Sequence, residues 1–346
     1  MRGGHYFGGM NERRMEKVLA LHPLEDIKIS VDCFFGMGNV SRLGGCGMKD
    51  TKVVAYELER SLYTLHEVIR DDDRVHELIE KIKDVKNTRD YFEECKAMII
   101  SYNSREKEYD KVDVALAELA CIRLSRNNAR NSWRDTKYYE GRNYDPWTMN
   151  KKRVEMEAIE SKFYNQMPVE IMEMHYEWKK IQLFNENCMD HMEEWVKDGA
   201  FFYLDPPYLP VKRGITYKQK ESPTNSGYME DMSADDHETL IDKILKISSM
   251  GAKCMVCSNF EIDETGELMG VADDPYTRLM KNGFRMVIVE RRYSTEGSHE
   301  HISIDGETIK QKKKPKVEVV YINYHNIRGV WSFFEYMDYK DIFKNN

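Results

Sequence analysis

The residues with the clearest chemical meaning are Asp205-Pro206-Pro207-Tyr208, which directly follow the apolar run Phe201-Phe202-Tyr203-Leu204. An exocyclic amine on a nucleobase is a poor nucleophile, because its lone pair is conjugated into the ring. A carboxylate and a backbone carbonyl, both acceptors, can hold the two N–H bonds and favour a tetrahedral, nucleophilic nitrogen. Proline has no N–H to donate, and its rigid ring fixes where the preceding carboxylate and its own carbonyl point. Tyr208 then offers a flat face against which a base can stack. On their own, the same four residues would also suit a Pro-Pro turn leaving a strand, with Asp205 exposed.

A second segment narrows the choice. Phe34-Phe35-Gly36-Met37-Gly38 follows another apolar run, and Glu57 closes the next one, 21 residues beyond Gly36. Glycines let a backbone approach a ligand closely, and an acid about 20 positions on can bind ribose hydroxyls. A nicotinamide fingerprint needs a third glycine, and Ser41 stands at that place. Glycine turn, acid and DPPY together point to S-adenosyl-L-methionine as the cofactor.

Strands must hold both segments. Short apolar runs recur over Ile27 to Phe35, Lys52 to Tyr56, Ile181 to Phe184, Ala200 to Leu204, Ala252 to Cys257, Phe284 to Glu290 and Val317 to Ile322. Continuous apolar character suits strands buried on both faces of a largely parallel sheet. Helical patterns lie between several of them, such as Asp236 to Ser248, which predicts an α/β fold with ligands at the carboxyl ends of strands. Residues 61–180 read differently, as a mostly helical insertion. Leu62, Leu65, Val68 and Ile69 have helical spacing, and further helical stretches run from about Val112 to Leu124 and from Val154 to Gln182.

Tyr6-Phe7-Gly8-Gly9, then F-x-G-x-G, then DPPY after a long insert, resembles the Dam-type, alpha-group adenine-specific DNA methyltransferases. Asp236-His237-Glu238 opening a helix, Ser258-Asn259 ending the fifth strand and Val317-Glu318 opening the last strand agree with that resemblance. It covers about 1–60 and 180–325 well and the insert poorly. It implies a Rossmann-like methyltransferase fold, a seven-stranded mixed sheet with the last strand antiparallel. The catalytic domain would be 1–60 with 181–346, and 61–180 a target-recognition insertion. By position, Phe34, Gly36 and Gly38 would face the methionine part of the cofactor and Glu57 the ribose. Tyr6, Gly8, Gly9, Phe35, Asn187, Cys188 and Asp205 complete the implied cofactor set. Asp205, Pro206, Pro207 and Tyr208 would hold the adenine to be methylated at N6, flipped out of the DNA. Two departures are Met10, where the family usually has Lys, and Asn187, where it tends to carry Asp. Enzymes acting on the cytosine amine or RNA bases, and a degenerate DNA-binding protein, are the alternatives.

The chain has 52 Lys+Arg against 60 Asp+Glu, a formal charge of -8, which disfavours a uniformly basic nucleic-acid-coating protein. Resolved by segment, the balance changes. Cys121 to Arg153 carries nine basic and three acidic residues, a local +6, interleaved with Trp133, Tyr138, Tyr139, Tyr144 and Trp147. Arg123, Arg126, Asn127, Arg130, Arg134 and Lys137 are therefore candidates for DNA binding. Lys310, Lys312, Lys313, Lys314 and Lys316 form a second cluster, where a hairpin would project between the last two strands. Leu209 to Tyr228 has the polar character of a lid. Ser233 and Asp236 form a capping box, so Asp236-His237 reads as structural. Seven scattered cysteines and no apolar leader suit a reducing cytoplasm. Cys254 and Cys257 read as core strand, without a second pair at zinc-ligand spacing.

Overall fold

A computed structural model describes residues 12–42, 50–86, 88–124, 167–197, 199–208, 232–262, 268–292, 299–302, 308–311 and 316–338. Along the chain run α1 (Glu12–Ala20), β1 (Ile29–Asp32), β2 (Lys52–Tyr56), α2 (Arg60–Arg70), α3 (Arg74–Lys81), α4 (Arg89–Asn103) and α5 (Lys111–Leu124). Helical residues 167–178, here α6, precede β3 (Ile181–Phe184) and β4 (Ala200–Leu204). Then come α7 (Ala234–Ser249), β5 (Lys253–Ile262), β6 (Leu268–Met269), α8 (Thr277–Lys281), β7 (Arg285–Arg292), β8 (His299–Ile302), β9 (Thr308–Gln311), β10 (Lys316–Ile322) and β11 (Glu335–Met337).

Two compact units are formed. The first is built on the described residues of Phe34–Cys188. In it β2 and β3 run parallel, Val53 opposite Ile181 and Tyr56 opposite Phe184. They share one core with the helices: Val53, Ala55, Ile181 and Leu183 pack with Leu62, Leu65, Val68 and Ile69 of α2, and with Phe92, Leu119 and Trp178. The spacing of the four α2 residues places them on one stripe, and all four are buried. Helix α5 is buried almost all round, from Val112 through Cys121, which accounts for its near-continuous apolar and alanine content. The helical pattern expected through Gln182 stops at 178, because Ile181 and Gln182 pair with β2 as strand.

The second unit is built on the described residues of Arg13–Cys33, Met189–Ser222 and Met232–Asn346. Its strand order is β11-β7-β10-β5-β4-β1, with β6 beside β5. Strands β1, β4 and β5 are parallel, and β10 lies antiparallel between β5 and β7. Every residue of β4 is buried, as a continuous apolar strand requires.

All seven expected segments form strands, but further strands appear beside them. β11 pairs with β7, so the antiparallel β10 is not the last strand of the chain. β6 is only two residues long, too short to stand out as an apolar run, and β11 is a largely exposed edge, and such edges leave little hydrophobic signature. β5 continues past Ser258-Asn259 to Ile262, because β10 pairs with it as far as Glu261. The hairpin between β7 and β10 is β8–β9; Lys310 falls within β9, in register with Glu300, rather than at the tip. No helix among the described residues is long and apolar enough to cross a membrane.

Leu65 is fully buried in the core of the first unit. Leu65→Ala should lower the unfolding free energy by about 2–5 kcal/mol, read as a shift in denaturant midpoint at unchanged slope.

Candidate active site

Each unit presents one chemistry-bearing turn at the carboxyl end of a strand or beside one. In the first unit, the Phe35 amide donates to the Tyr56 carbonyl at 2.9 Å, which extends β2 pairing into the glycine turn. Gly36 and Gly38 take φ of 50° and 66°, in the left-handed region that favours glycine. A Cβ on Gly38 would collide with the Phe35 ring. The Phe35 ring thus sits under the turn and is buried, 4.8 Å from the His66 ring and 5.7 Å from Trp178. Gly38 therefore admits an aromatic support from below.

Glu57 sits directly after β2 and is buried. Its Oε2 accepts the Gly36 amide and its Oε1 the Glu59 amide, both at 2.9 Å. The Asn185 side chain donates to the Glu57 and Leu58 carbonyls at 2.8 and 3.0 Å, joining the ends of β2 and β3. Tyr56 and Phe184 stack there with ring centres 5.3 Å apart. Asn187 is half-buried just beyond β3, and Cys188 is buried at the start of a short 3₁₀ turn. Phe34 is half-buried.

Two residues not anticipated here are His66 and Trp178. His66 Nε2 lies 2.7 Å from the Gly36 carbonyl oxygen, and Trp178 donates to His66 Nδ1 at 2.8 Å. Complete burial lowers the His66 pKa to about 4, so the ring is neutral at physiological pH. The only local signal was a titratable residue within the apolar stripe of α2.

In the second unit, the Cys33 amide bonds the Tyr203 carbonyl at 3.0 Å, carrying the parallel pairing to the threshold of DPPY. Asp205 is half-buried; its Oδ1 accepts from the Tyr208 hydroxyl at 2.9 Å and its Oδ2 from the Tyr203 hydroxyl at 3.3 Å. Cys257 in turn donates to the Tyr203 hydroxyl through sulfur at 3.4 Å. Tyr203 escaped notice because in sequence it reads as one more apolar strand residue. Cys254 and Cys257 are both buried in β5, as core-strand residues.

Ser233 caps α7 with the reciprocal Asp236 bonds expected of a capping box. The helix start delivers His237, which is buried. Its Nδ1 is 2.8 Å from the Tyr276 hydroxyl, and the ring bonds the Pro207 carbonyl. Burial lowers its pKa to about 4, so a neutral ring donates one N–H to Pro207 and accepts from Tyr276. His237 is structural, and the structure that it holds is the DPPY turn.

Tyr6, Gly8, Gly9 and Met10 lie outside the described residues, as do Arg126, Asn127, Arg130, Arg134, Lys137, Lys312, Lys313 and the segment 209–231. Arg123 lies in the last turn of α5, its side chain outside the description.

The histidines make stability depend on pH. Burial lowers His22 to about 3 and His66 and His237 to about 4, against 6.5 when unfolded, so their contribution is present above pH 6.5 and lost as pH falls. Asp274 is raised by burial from 3.8 to about 7 and works in the opposite sense, losing stability as pH rises through that range. Near pH 5.5 unfolding should take up about two protons, a slope of about 2–3 kcal/mol per pH unit. Asp274→Asn should steepen it by about one proton, measurable from denaturant midpoints between pH 4.5 and 6.5.

A search of curated proteins finds no matching sequence. A family model for D12 class N6 adenine-specific DNA methyltransferases matches residues 14–295, a span that takes in both turns. The chain belongs to the D12 class N6 adenine-specific DNA methyltransferase family.

Proposed function

We propose that this chain transfers a methyl group from S-adenosyl-L-methionine to the N6 amine of an adenine flipped out of double-stranded DNA. The observation that carries this reading is the DPPY turn: a half-buried carboxylate at the end of a fully buried strand, its oxygens hydrogen-bonded by phenols and its backbone gripped by His237.

The donor set of the first unit suits the cofactor. Glu57 brings a carboxylate to the end of β2, where ribose hydroxyls can share its roughly four acceptor positions. Tyr56 and Phe184 contribute apolar ring surface nearby, and Asn187 a side-chain amide. When bound, the cofactor supplies an activated methyl on a sulfonium. The chain's own work is positioning, which can contribute about 7–11 kcal/mol. Asp205 and the Pro206 carbonyl would accept the two N–H bonds of the amine and keep its lone pair out of ring conjugation. Once methylated, the amine would carry one proton too many; Asp205 would hold that proton by hydrogen bond until it passes to solvent, leaving a neutral N6-methyl amine. Tyr208 would exchange its bond to Asp205 for a stacking contact with the base. Extrusion of the base costs a few kcal/mol, least where pairing is weak.

DNA would be met mainly by the basic stretch that begins in the last turn of α5 and continues toward α6, with Arg123, Arg126, Asn127, Arg130, Arg134 and Lys137 on phosphates and base edges. Helices α2, α4, α5 and α6 share the core of β2 and β3, which supports assigning recognition within 61–180 to the part between α5 and α6. Lys312 and Lys313 would add phosphate contacts from the end of β9.

With purified chain, DNA and methyl-labelled S-adenosylmethionine, Asp205→Ala should reduce transfer more than about a hundredfold while cofactor Kd stays within about threefold. Retained transfer would refute the role of Asp205. Replacing Arg130 and Arg134 with Ala should weaken DNA binding and reduce the slope of log K against log salt by about 2. An unchanged slope would remove this stretch from the DNA face.

A further inference from the structure

The glycine turn is held from two sides within the first unit. The Gly36 amide donates to Glu57, and the Gly36 carbonyl meets His66 Nε2 at 2.7 Å. Behind His66 stands Trp178, whose indole N–H is 2.8 Å from Nδ1. An indole can only donate, so Nδ1 must accept and the single ring proton must reside on Nε2. The ring therefore donates to Gly36, and its tautomer is fixed by Trp178. His66 and Trp178 are both fully buried, with the edge of Phe35 against both rings. Burial also keeps the ring neutral down to about pH 4.

The direction of that bond has a consequence for the turn. A trans peptide is planar, with its C=O and N–H opposed. Holding the Gly36 carbonyl toward His66 turns the N–H of the same peptide, that of Met37, away from His66. The Met37 amide makes no hydrogen bond among the described residues. A left-handed Gly36, at φ 50°, is what allows this arrangement.

We propose that His66, oriented by Trp178, is a positioning residue for the methyl donor: it fixes the Gly36–Met37 peptide so that the Met37 N–H is presented to an anionic group, the carboxylate of the cofactor's methionine end. This rests on the cofactor assignment of the preceding subsection. His66 touches neither base nor methyl group and moves no proton. Trp178 ends α6, the helix that follows the basic stretch, and Arg42 beyond Gly38 pairs with Glu173 and Glu177 of the same helix. Helix α6 thus reaches the glycine-turn region through both Trp178 and its ion pairs with Arg42.

Two substitutions separate positioning from packing. The side-chain amide of His66→Gln reaches the place of Nε2 and can still donate to Gly36. That of His66→Asn reaches only the place of Nδ1, keeping the Trp178 bond and withdrawing the donor. Isothermal titration of wild type and both variants with S-adenosylmethionine, without DNA, should give a Kd for His66→Asn weakened about tenfold, the cost of leaving the half-buried Gly36 carbonyl without its donor. His66→Gln should stay within about threefold of wild type. At saturating cofactor, kcat should be unchanged in both. Equal affinity in Asn and wild type, or equal loss in Asn and Gln, overturns the proposal. Wild-type chain that binds no S-adenosylmethionine overturns the cofactor assignment itself, a result visible before any variant is compared. Should His66→Asn fail to fold, histidine ¹⁵N shifts of the cofactor-free wild type decide: a proton on Nε2 at pH 7 is expected, and a proton on Nδ1 overturns the proposal.

Discussion

A backbone carbonyl taken out of a strand ladder must find another donor, and both candidate turns of this protein leave their strands in ways that deprive the ladder of one. Gly36 swings into the left-handed region, and Pro206 and Pro207 contribute no N–H at all. In each unit a buried neutral histidine supplies the missing donor: His66 to Gly36, and His237 to Pro207. Each ring is set by an aromatic partner that donates to it, Trp178 in one case and Tyr276 in the other. The chemistry expected of Asp205 depends on a backbone that does not yield when a base enters. That firmness comes from α2 and α7, the helices that carry the histidines.

Burial gives these rings their value and also their limit. An imidazole removed from water stays neutral and keeps one tautomer, so its donor and acceptor ends are defined. The same burial ties both turns to pH, since below neutrality the unfolded chain gains protons that the folded one cannot accept. His22 shares the penalty, packed against Phe201 with neither ring nitrogen hydrogen-bonded among the described residues. It serves no turn, and its contribution is to the packing of the second unit.

Much of this was legible in the sequence, and the exceptions have physical reasons. Strands such as Phe201-Phe202-Tyr203-Leu204 announce themselves because burial on both faces demands continuous apolar residues. The Ser233–Asp236 box is local, so it too could be read. By contrast, His66 and Trp178 are 112 residues apart, and nothing local in either segment signals a bond between them. Tyr203 and Cys257 look like ordinary strand residues until β4 and β5 are paired and the hydroxyl is seen to reach Asp205. β11, half-exposed along the edge of the sheet, lacks the pattern that reveals interior strands. The negative net charge was also uninformative as a total, because it averages a locally basic stretch, Cys121 to Arg153 with nine basic and three acidic residues, with a more acidic remainder.

The proposed role of Asp205 is to hold an adenine amine for methylation. The most direct test is single-nucleotide mapping of modified bases in DNA from cells expressing this chain, beside cells expressing Asp205→Ala. N6-methyladenine in one recurring sequence context with the first, and none with the second, is the predicted result. Modification of the cytosine amine instead, or the same adenine pattern from both chains, would contradict it.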